Sequence, residues 1–557
     1  MIVLLLQWSF LFLISGSLGG FVLHHAAKEL GDGPRFFLAH WLGLFLWGNL
    51  LLWFTPFTPL SPLMILLPAG VSLALISHHP LRHRLPPKID VWLSLPLLAA
   101  MLAYGLKIPT TSDAISYQYD IHAWLSNVGT VPGLALIHTR FGFLSSWFTL
   151  PALFNHGPLE GRMTASVGAF AAFFTCLQVL WALRRALQGT LPAPHLIATA
   201  ALALAMFPTI ALNLAAGPSH DVPIVILSVL CFWTLLLRNR EEMEMLPVLF
   251  ASLALATKLS SLPLLAVCGL CGLLQARQPF RYACRAAMLV TLLMLPWVLN
   301  QVLLTGWPFY PLGISLNLPW SLSQEVREIE IQFVRDYAPW GHGETLGLPA
   351  RMFKWLREDY TRLISTGYLL MGLVGMLALH LRGNRAGLKA TPLFLGIAGV
   401  SFWLWTTAHP RFGWGVIAIL PTAWLWTRNW SRPLFPRLPP GARDGLAGLA
   451  VFLFLALPPH LWTTGTQRLV WEAIHRGDIP APGSRVWSPP TIPAIQYTDS
   501  PPWVVPHQPT IIQYNELPLS HRPMYFPLDL RYELQFRNPE RGLRGGVVIM
   551  ATLPEYF

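Results

Sequence analysis

Carboxylates beside long apolar runs are the side chains of this sequence best placed to do chemistry. In Thr110-Thr-Ser-Asp113-Ala-Ile-Ser-Tyr117-Gln-Tyr-Asp120-Ile-His122-Ala-Trp, Asp113 stands just past such a run. On a helix, Asp113, Tyr117 and Asp120 would share a face through three- and four-residue spacing. A second acid, Asp221, follows His220 in Gly217-Pro-Ser-His-Asp-Val-Pro, a turn between two apolar runs. A carboxylate in such a place can take a proton from a hydroxyl group. It can equally cap the helix it precedes, and both uses fit Asp221. Asp113 is read as functional. Asp120 and His122 are read as a solvated interfacial face, with support of the site as the alternative.

Two cations complete the set. Lys258 lies in Ala254-Leu-Ala-Thr-Lys258-Leu-Ser-Ser-Leu, within an apolar run. An ammonium near a bilayer interior costs about 2.5–3.5 kcal/mol on insertion scales, so it needs an anion, either a carboxylate such as Asp221 or a phosphate. Arg411, in Ala408-His409-Pro-Arg411-Phe, has the planar fork that suits bidentate binding of phosphate. A snorkelling arginine at the interface is the other use of such a residue. His409 beside it stays ambiguous. Cys268 and Cys271 form a C-x-x-C within a Leu- and Gly-rich run, without the second pair a metal site needs.

The elements that must position these groups follow from composition. Of 557 residues, 54% are apolar and only 11% charged, against about 25% charged in a soluble domain. Such a chain cannot cover itself with a charged surface, and 12% aromatic residues exclude disorder. The class is an all-α polytopic membrane protein. Apolar runs fall near 2–23, 36–55, 60–77, 90–106, 160–183, 196–216, 222–237, 246–275, 286–304, 363–381, 391–408, 412–427 and 444–463. At ~20 residues per span they make about thirteen or fourteen passes. The formal charge of +12 is assigned to loops flanking spans, not to nucleic acid.

Orientation comes from short loops. Arg82, Arg84 and Lys88, Arg184 and Arg185, Arg238 and Arg240, Arg277, Arg281 and Arg285, Arg382, Arg385 and Lys389, and Arg428, Arg432, Arg437 and Arg443 mark one side as cytoplasmic. The opposite short loops hold almost no basic residue, Arg411 being the exception. The run 246–275 has basic flanks at both ends, so it is expected to be two short helices meeting near Lys258. The domains expected are 1–87, extra N-terminal spans; 88–463, the membrane core with outer loops 107–159 and 305–362; and 464–557, an outer C-terminal cap. Short interfacial helices are expected in 107–159, a polar helix from Ser323, and an amphipathic one at Arg351-Met-Phe-Lys-Trp-Leu-Arg. Strand-like pieces at 510–514, 530–536 and 545–551 give the cap an α+β or β character.

Further along, Pro296-Trp-Val-Leu-Asn-Gln-Val-Leu-Leu-Thr-Gly-Trp-Pro-Phe-Tyr-Pro precedes the outer His-Pro-Arg-Phe. With Asp-Ala-Ile-Ser-Tyr and Ala-Thr-Lys, this string resembles the C-type (GT-C) membrane glycosyltransferases, in the bacterial protein mannosyltransferase-like and aminoarabinose transferase-like group. The resemblance covers roughly residues 88–430. It implies an enzyme of the bacterial inner membrane and cell envelope. A sugar would pass from a polyprenyl-phosphate donor, with inversion at the anomeric carbon, to a glycan, lipid or protein acceptor on the outer face. Asp113 would be the general base or a ligand of a divalent metal, Asp221 the second acid and alternative metal ligand, and Lys258 and Arg411 contacts of the donor phosphate. Tyr117, Asp120, His122, His220 and His409 would support the site. The competing expectations are a transporter or flippase of lipid-linked sugars, and a non-catalytic membrane subunit that kept the fold.

Overall fold

The computed structural model describes residues 2–427 apart from 28–29, 79–90, 106–112, 137–138, 158–162, 212–213, 238–242, 336–346, parts of 348–359, 382–390 and 408. Beyond these it describes most of 439–450 and four short strands. The helices are α1 (Ile2–Ala26), α2 (Asp32–Leu51), α3 (Leu66–His78), α4 (Val91–Gly105), α5 (Tyr119–Asn127), α6 (Thr149–Leu153), α7 (Met163–Leu187), α8 (Ala193–Ala211) and α9 (Asp221–Leu237). They continue with α10 (Leu246–Thr257), α11 (Leu262–Gln275), α12 (Pro279–Thr305), α13 (Gln324–Arg335), α14 (Tyr360–Leu381), α15 (Thr391–Thr406) and α16 (Pro410–Ile417).

Five of these, α1, α7, α8, α12 and α14, are long and apolar enough to cross a membrane, and shorter apolar helices include α9, α10 and α15. Along α14 the outward side chains Leu363, Leu370, Leu373 and Leu377 stay exposed, as do Met288, Leu292, Leu295 and Leu299 along α12. These leucine faces suit a hydrocarbon solvent, in which a helix satisfies its own backbone groups.

The N-terminal helices enter the core. Built Cβ atoms at Gly19 and Gly43 would lie 1.8 Å from the Ala39 carbonyl oxygen and 1.9 Å from the Ser15 carbonyl oxygen. Only glycine permits so close an approach of α1 to α2. Indole groups fasten the pair outward: Trp8 donates to the Ser166 carbonyl at 3.1 Å and Trp41 to Gln178 Oε1 at 2.8 Å, both toward α7.

The break in 246–275 falls at Lys258, which leaves the helical region at φ −160° and ψ 126°. Backbone N–H groups of Lys258 and Ser261 still close short turns there. The two helices run in opposite senses. Lys258 meets Asp221 at the start of α9, whereas Gly272, near the end of α11, abuts Tyr282 in the first turns of α12. The far end of α12 returns to the level of Lys258, where Trp297 donates to the Leu144 carbonyl at 3.0 Å.

The middle of the Pro-Trp…Tyr-Pro string is scaffold, while its Trp297 and Tyr310 line a cavity. Asn300 Nδ2 donates to the Leu52 carbonyl at 2.9 Å, and its Oδ1 accepts from Thr55 at 2.7 Å and from Thr130. Gln301 donates to the Gly142 carbonyl at 2.5 Å. Gly306 then ends α12 in the left-handed region, φ 74°, where a Cβ would strike Ser321. One helix end thereby fixes α2, the 130–144 segment and the start of α13.

The 107–159 segment does form short helices, but they are buried and do not lie flat at an interface. In α5, Ile121, His122, Ala123, Trp124, Leu125 and Ser126 are all buried. The expected amphipathic helix at 351–357 lies largely outside the described residues. In the tail, β1 (Gln513–Tyr514) pairs with β2 (Leu517–Pro518), and β3 (Tyr532–Phe536) with β4 (Val547–Thr552), both antiparallel. The remainder of the expected cap lies outside the described residues.

Candidate functional site

Four distant parts of the chain bring charged groups to one cavity of about 750 Å³. Asp113 stands at the entrance to a π turn, Ala114–Gln118, that leads into α5. Asp221 opens α9, Lys258 occupies the α10–α11 break, and Arg411 is in the first turn of α16. Pro410 suits that first turn because its missing N–H would be unpaired there anyway.

Asp221 is the hub. Its Oδ1 takes Lys258 Nζ at 2.5 Å, and its Oδ2 accepts from Ser219 Oγ at 3.2 Å and lies 3.6 Å from Arg411 Nε. Arg411 Nη2 reaches Asp113 Oδ2 at 2.6 Å, so one guanidinium spans both acids. Phe412 lies under both cations, its ring centroid 3.9 Å from Lys258 Nζ and 4.7 Å from Arg411 Cζ. Desolvated cations gain from an aromatic face. The two acids differ in access: the Asp113 side chain is 22% exposed and that of Asp221 only 6%. Burial opposes ionisation of Asp113, but the combined charges of Arg411 and Arg140 overcome it and hold the carboxyl below its ordinary range. His220 lines the cavity too. Burial, reinforced by the Lys258 charge, pushes its imidazole down to about 3, so it is neutral at pH 7.

Of the supporting residues anticipated, Tyr117 and His220 line the cavity. Asp120 and His122 do not; Asp120 is half-buried, and His122 is not the solvated face expected. The π turn places an extra residue in its ring and rotates the helix beyond it, which carries Asp120 off the face shared by Asp113 and Tyr117. His122 is fully buried, its ring edge-on to Phe148 at 5.0 Å. His409 sits beside the cavity, its carbonyl accepting from Trp403 Nε1 at 2.8 Å.

Sequence reasoning missed Arg140, which lines the cavity and pairs with Glu330 of α13 at 3.1 Å. The available signal was a lone arginine in the aromatic stretch Thr139-Arg-Phe-Gly-Phe. Of the walls, it missed Phe402 and Trp403, and it placed Trp297, Tyr310 and Phe412 within motifs without giving them this role. Leu262 and Trp405 line the cavity and are exposed as well, so it opens between the start of α11 and the end of α15.

The donor set is a poor match to a divalent ion. A magnesium ion asks for about six oxygen ligands in octahedral array, whereas both carboxylates here turn toward cationic side chains. Among the described residues no three His, Cys, Asp or Glu side chains are grouped so that they could share one metal ion.

The fold and the site together define a class: a mostly helical protein, with helices long and apolar enough to cross a membrane and a charged cavity among them. Residues 1–418 match a family described as a domain of unknown function, DUF8201, and the chain belongs to that family. A comparison with curated proteins finds no match.

Proposed function

We propose that this protein is a membrane glycosyltransferase that takes a sugar from a polyprenyl-phosphate donor. The observation that carries the reading is the convergence of Asp113, Asp221, Lys258 and Arg411 on one aromatic-walled cavity with an opening between α11 and α15. An apolar chain lying between those helices would bring its phosphate to Lys258 and Arg411. With the orientation read from the loop charges, the cavity faces the outer side of a bacterial inner membrane.

The chemistry asks little else. An acceptor hydroxyl oxygen attacks the anomeric carbon and forms the new glycosidic bond. The bond from that carbon to the phosphate oxygen breaks with inversion, and the phosphate departs with the electron pair. Asp113, the more accessible acid, takes the hydroxyl proton. Lys258 and Arg411 stabilise charge gathering on the departing phosphate. Asp221 is buried between both cations and positions them.

Sugar transfer by the purified protein from a panel of polyprenyl-phosphate sugars tests this. Asp113→Asn should lower the rate by about 10²–10⁴-fold, the usual contribution of a general base. Arg411→Ala should weaken donor binding. Equal rates for wild type and Asp113→Asn remove Asp113 from the mechanism.

One observation favours a second reading. The four charges cancel among themselves, as a purely structural clasp would. A subunit or transporter that holds a lipid-linked sugar without reacting would bind the donor panel and turn over none of it.

A further inference from the structure

Helix α13 carries an acid on its buried stripe. Val326 and Glu330, one turn apart, are 0% and 3% exposed, while Glu325 and Glu328 face outward. A buried carboxylate is costly unless it is paired and hydrogen-bonded. Glu330 has both: Thr139 Oγ1 donates to its Oε1 at 2.7 Å and Arg140 Nη2 meets its Oε2 at 3.1 Å. Arg140 in turn lies over the Phe143 ring at 5.0 Å and lines the cavity that holds Asp113. It therefore stands between Glu330 and the cavity. Ile331, the next residue of α13, is part of the cavity wall.

Charge balance gives this arrangement a use. The lining holds three cations, Arg140, Lys258 and Arg411, and two carboxylates, Asp113 and Asp221. Glu330 brings the local sum to zero, so a phosphate diester entering the site would add a negative charge with no counter-charge. Asp221 cannot yield, because it is buried against two cations and Ser219. Glu330 stands on a separate helix, anchored near its base by Arg327 Nε on the Pro311 carbonyl at 2.8 Å.

We propose that Arg140 is a third anion-binding side chain of the cavity, and that Glu330 of α13 is the counter-ion it exchanges for the phosphate of a lipid-borne diester. This rests on the reading of the cavity as a site for lipid-linked phosphate. Occupancy then loosens α13, and the helix is a movable wall.

The test uses the full chain in detergent micelles and a short polyprenyl methyl phosphodiester, which bears one negative charge. Arg140→Gln should weaken binding about tenfold or more, the scale of one charge-assisted hydrogen bond. Glu330→Gln keeps the bond to Thr139 but removes the competing charge, so binding should tighten about three- to tenfold. In the wild type, the diester should raise amide hydrogen exchange across residues 324–335. A merely structural Glu330 would loosen α13 on substitution but would not tighten binding. Wild-type affinity in Arg140→Gln, or unchanged exchange in α13 at saturating diester, overturns the inference. If Arg411→Ala loses binding in the same series, the cavity reading survives that failure. Absence of binding to the wild type sinks both. Should Glu330→Gln give little folded protein, the exchange measurement on the wild type decides.

Discussion

Between α1 and α2, glycines bring two backbones into contact and indoles lock the outside. Around the cavity, side chains from α9, α16, the α10–α11 break and the π turn meet through charge. The first region has no room for one carbon atom where the glycines meet. The second has a cavity of about 750 Å³ to spare and cannot lose a charge without stranding its partner. Shape decides one region because dispersion and close packing are short-ranged. Charge decides the other because an unpaired ion in apolar surroundings costs more than any local repacking returns.

The largest effect should come from the glycine pair. Gly43→Leu drives a side chain into the Ser15 carbonyl and should cost ~3 kcal/mol or more, at or beyond the upper end of overpacking. A thermal unfolding midpoint in detergent reads this directly. A wild-type midpoint would mean that shape does not govern α1 and α2.

Next comes the hub of the cavity. Lys258→Ala leaves the buried Asp221 with Arg411 alone. Breaking a fully buried pair costs about 3–5 kcal/mol; the 21% exposure of the Lys258 side chain brings the expectation down to ~2 kcal/mol. Lys258→Met combined with Asp221→Asn should recover most of that stability, because neither charge is stranded. A double variant less stable than both singles would show that geometry, and not charge, holds this corner.

Asp113→Asn should do less to stability, ~1 kcal/mol or below, because its pair with Arg411 is partly open to solvent. A large drop in midpoint would make Asp113 a structural acid and remove the separation between folding and function on which its proposed role depends.

The smallest effect is in pH. The Asp113 carboxyl is held low in the folded protein, so its contribution is complete above the unfolded carboxylate value of about 4 and is lost as the pH falls through the lower folded value. Stability should thus be insensitive to this group from about pH 8 down to about pH 5. In Arg411→Ala the acid loss should begin at higher pH, because the larger of the two opposing charges is gone. Superimposable acid limbs for the two proteins would disconnect Arg411 from Asp113.

Much of this was legible in the chain itself. A body of apolar helices suited to a membrane was expected from 54% apolar residues and 11% charged ones, since no soluble surface can be made from that composition. The break at Lys258 was readable because basic flanks on both sides of one apolar run forbid a single pass. Asp113, Asp221, Lys258 and Arg411 stood out because each is a polar atom in or beside apolar sequence, a cost that spacing alone reveals. Which of them touch was settled only by the tertiary structure. Arg411 bridges acids that lie nearly two hundred and three hundred residues before it, and no local period encodes that. Thr139 and Glu330 are likewise joined across 191 positions, with Arg140 beside Thr139 in the same contact. His122 was buried by packing against Phe148, and Asp120 was turned aside by one π turn that a 3.6-residue period does not foresee. Periodicity reports the face a residue occupies on its own helix. Partners are chosen by how the helices stack, and that choice belongs to the whole chain at once.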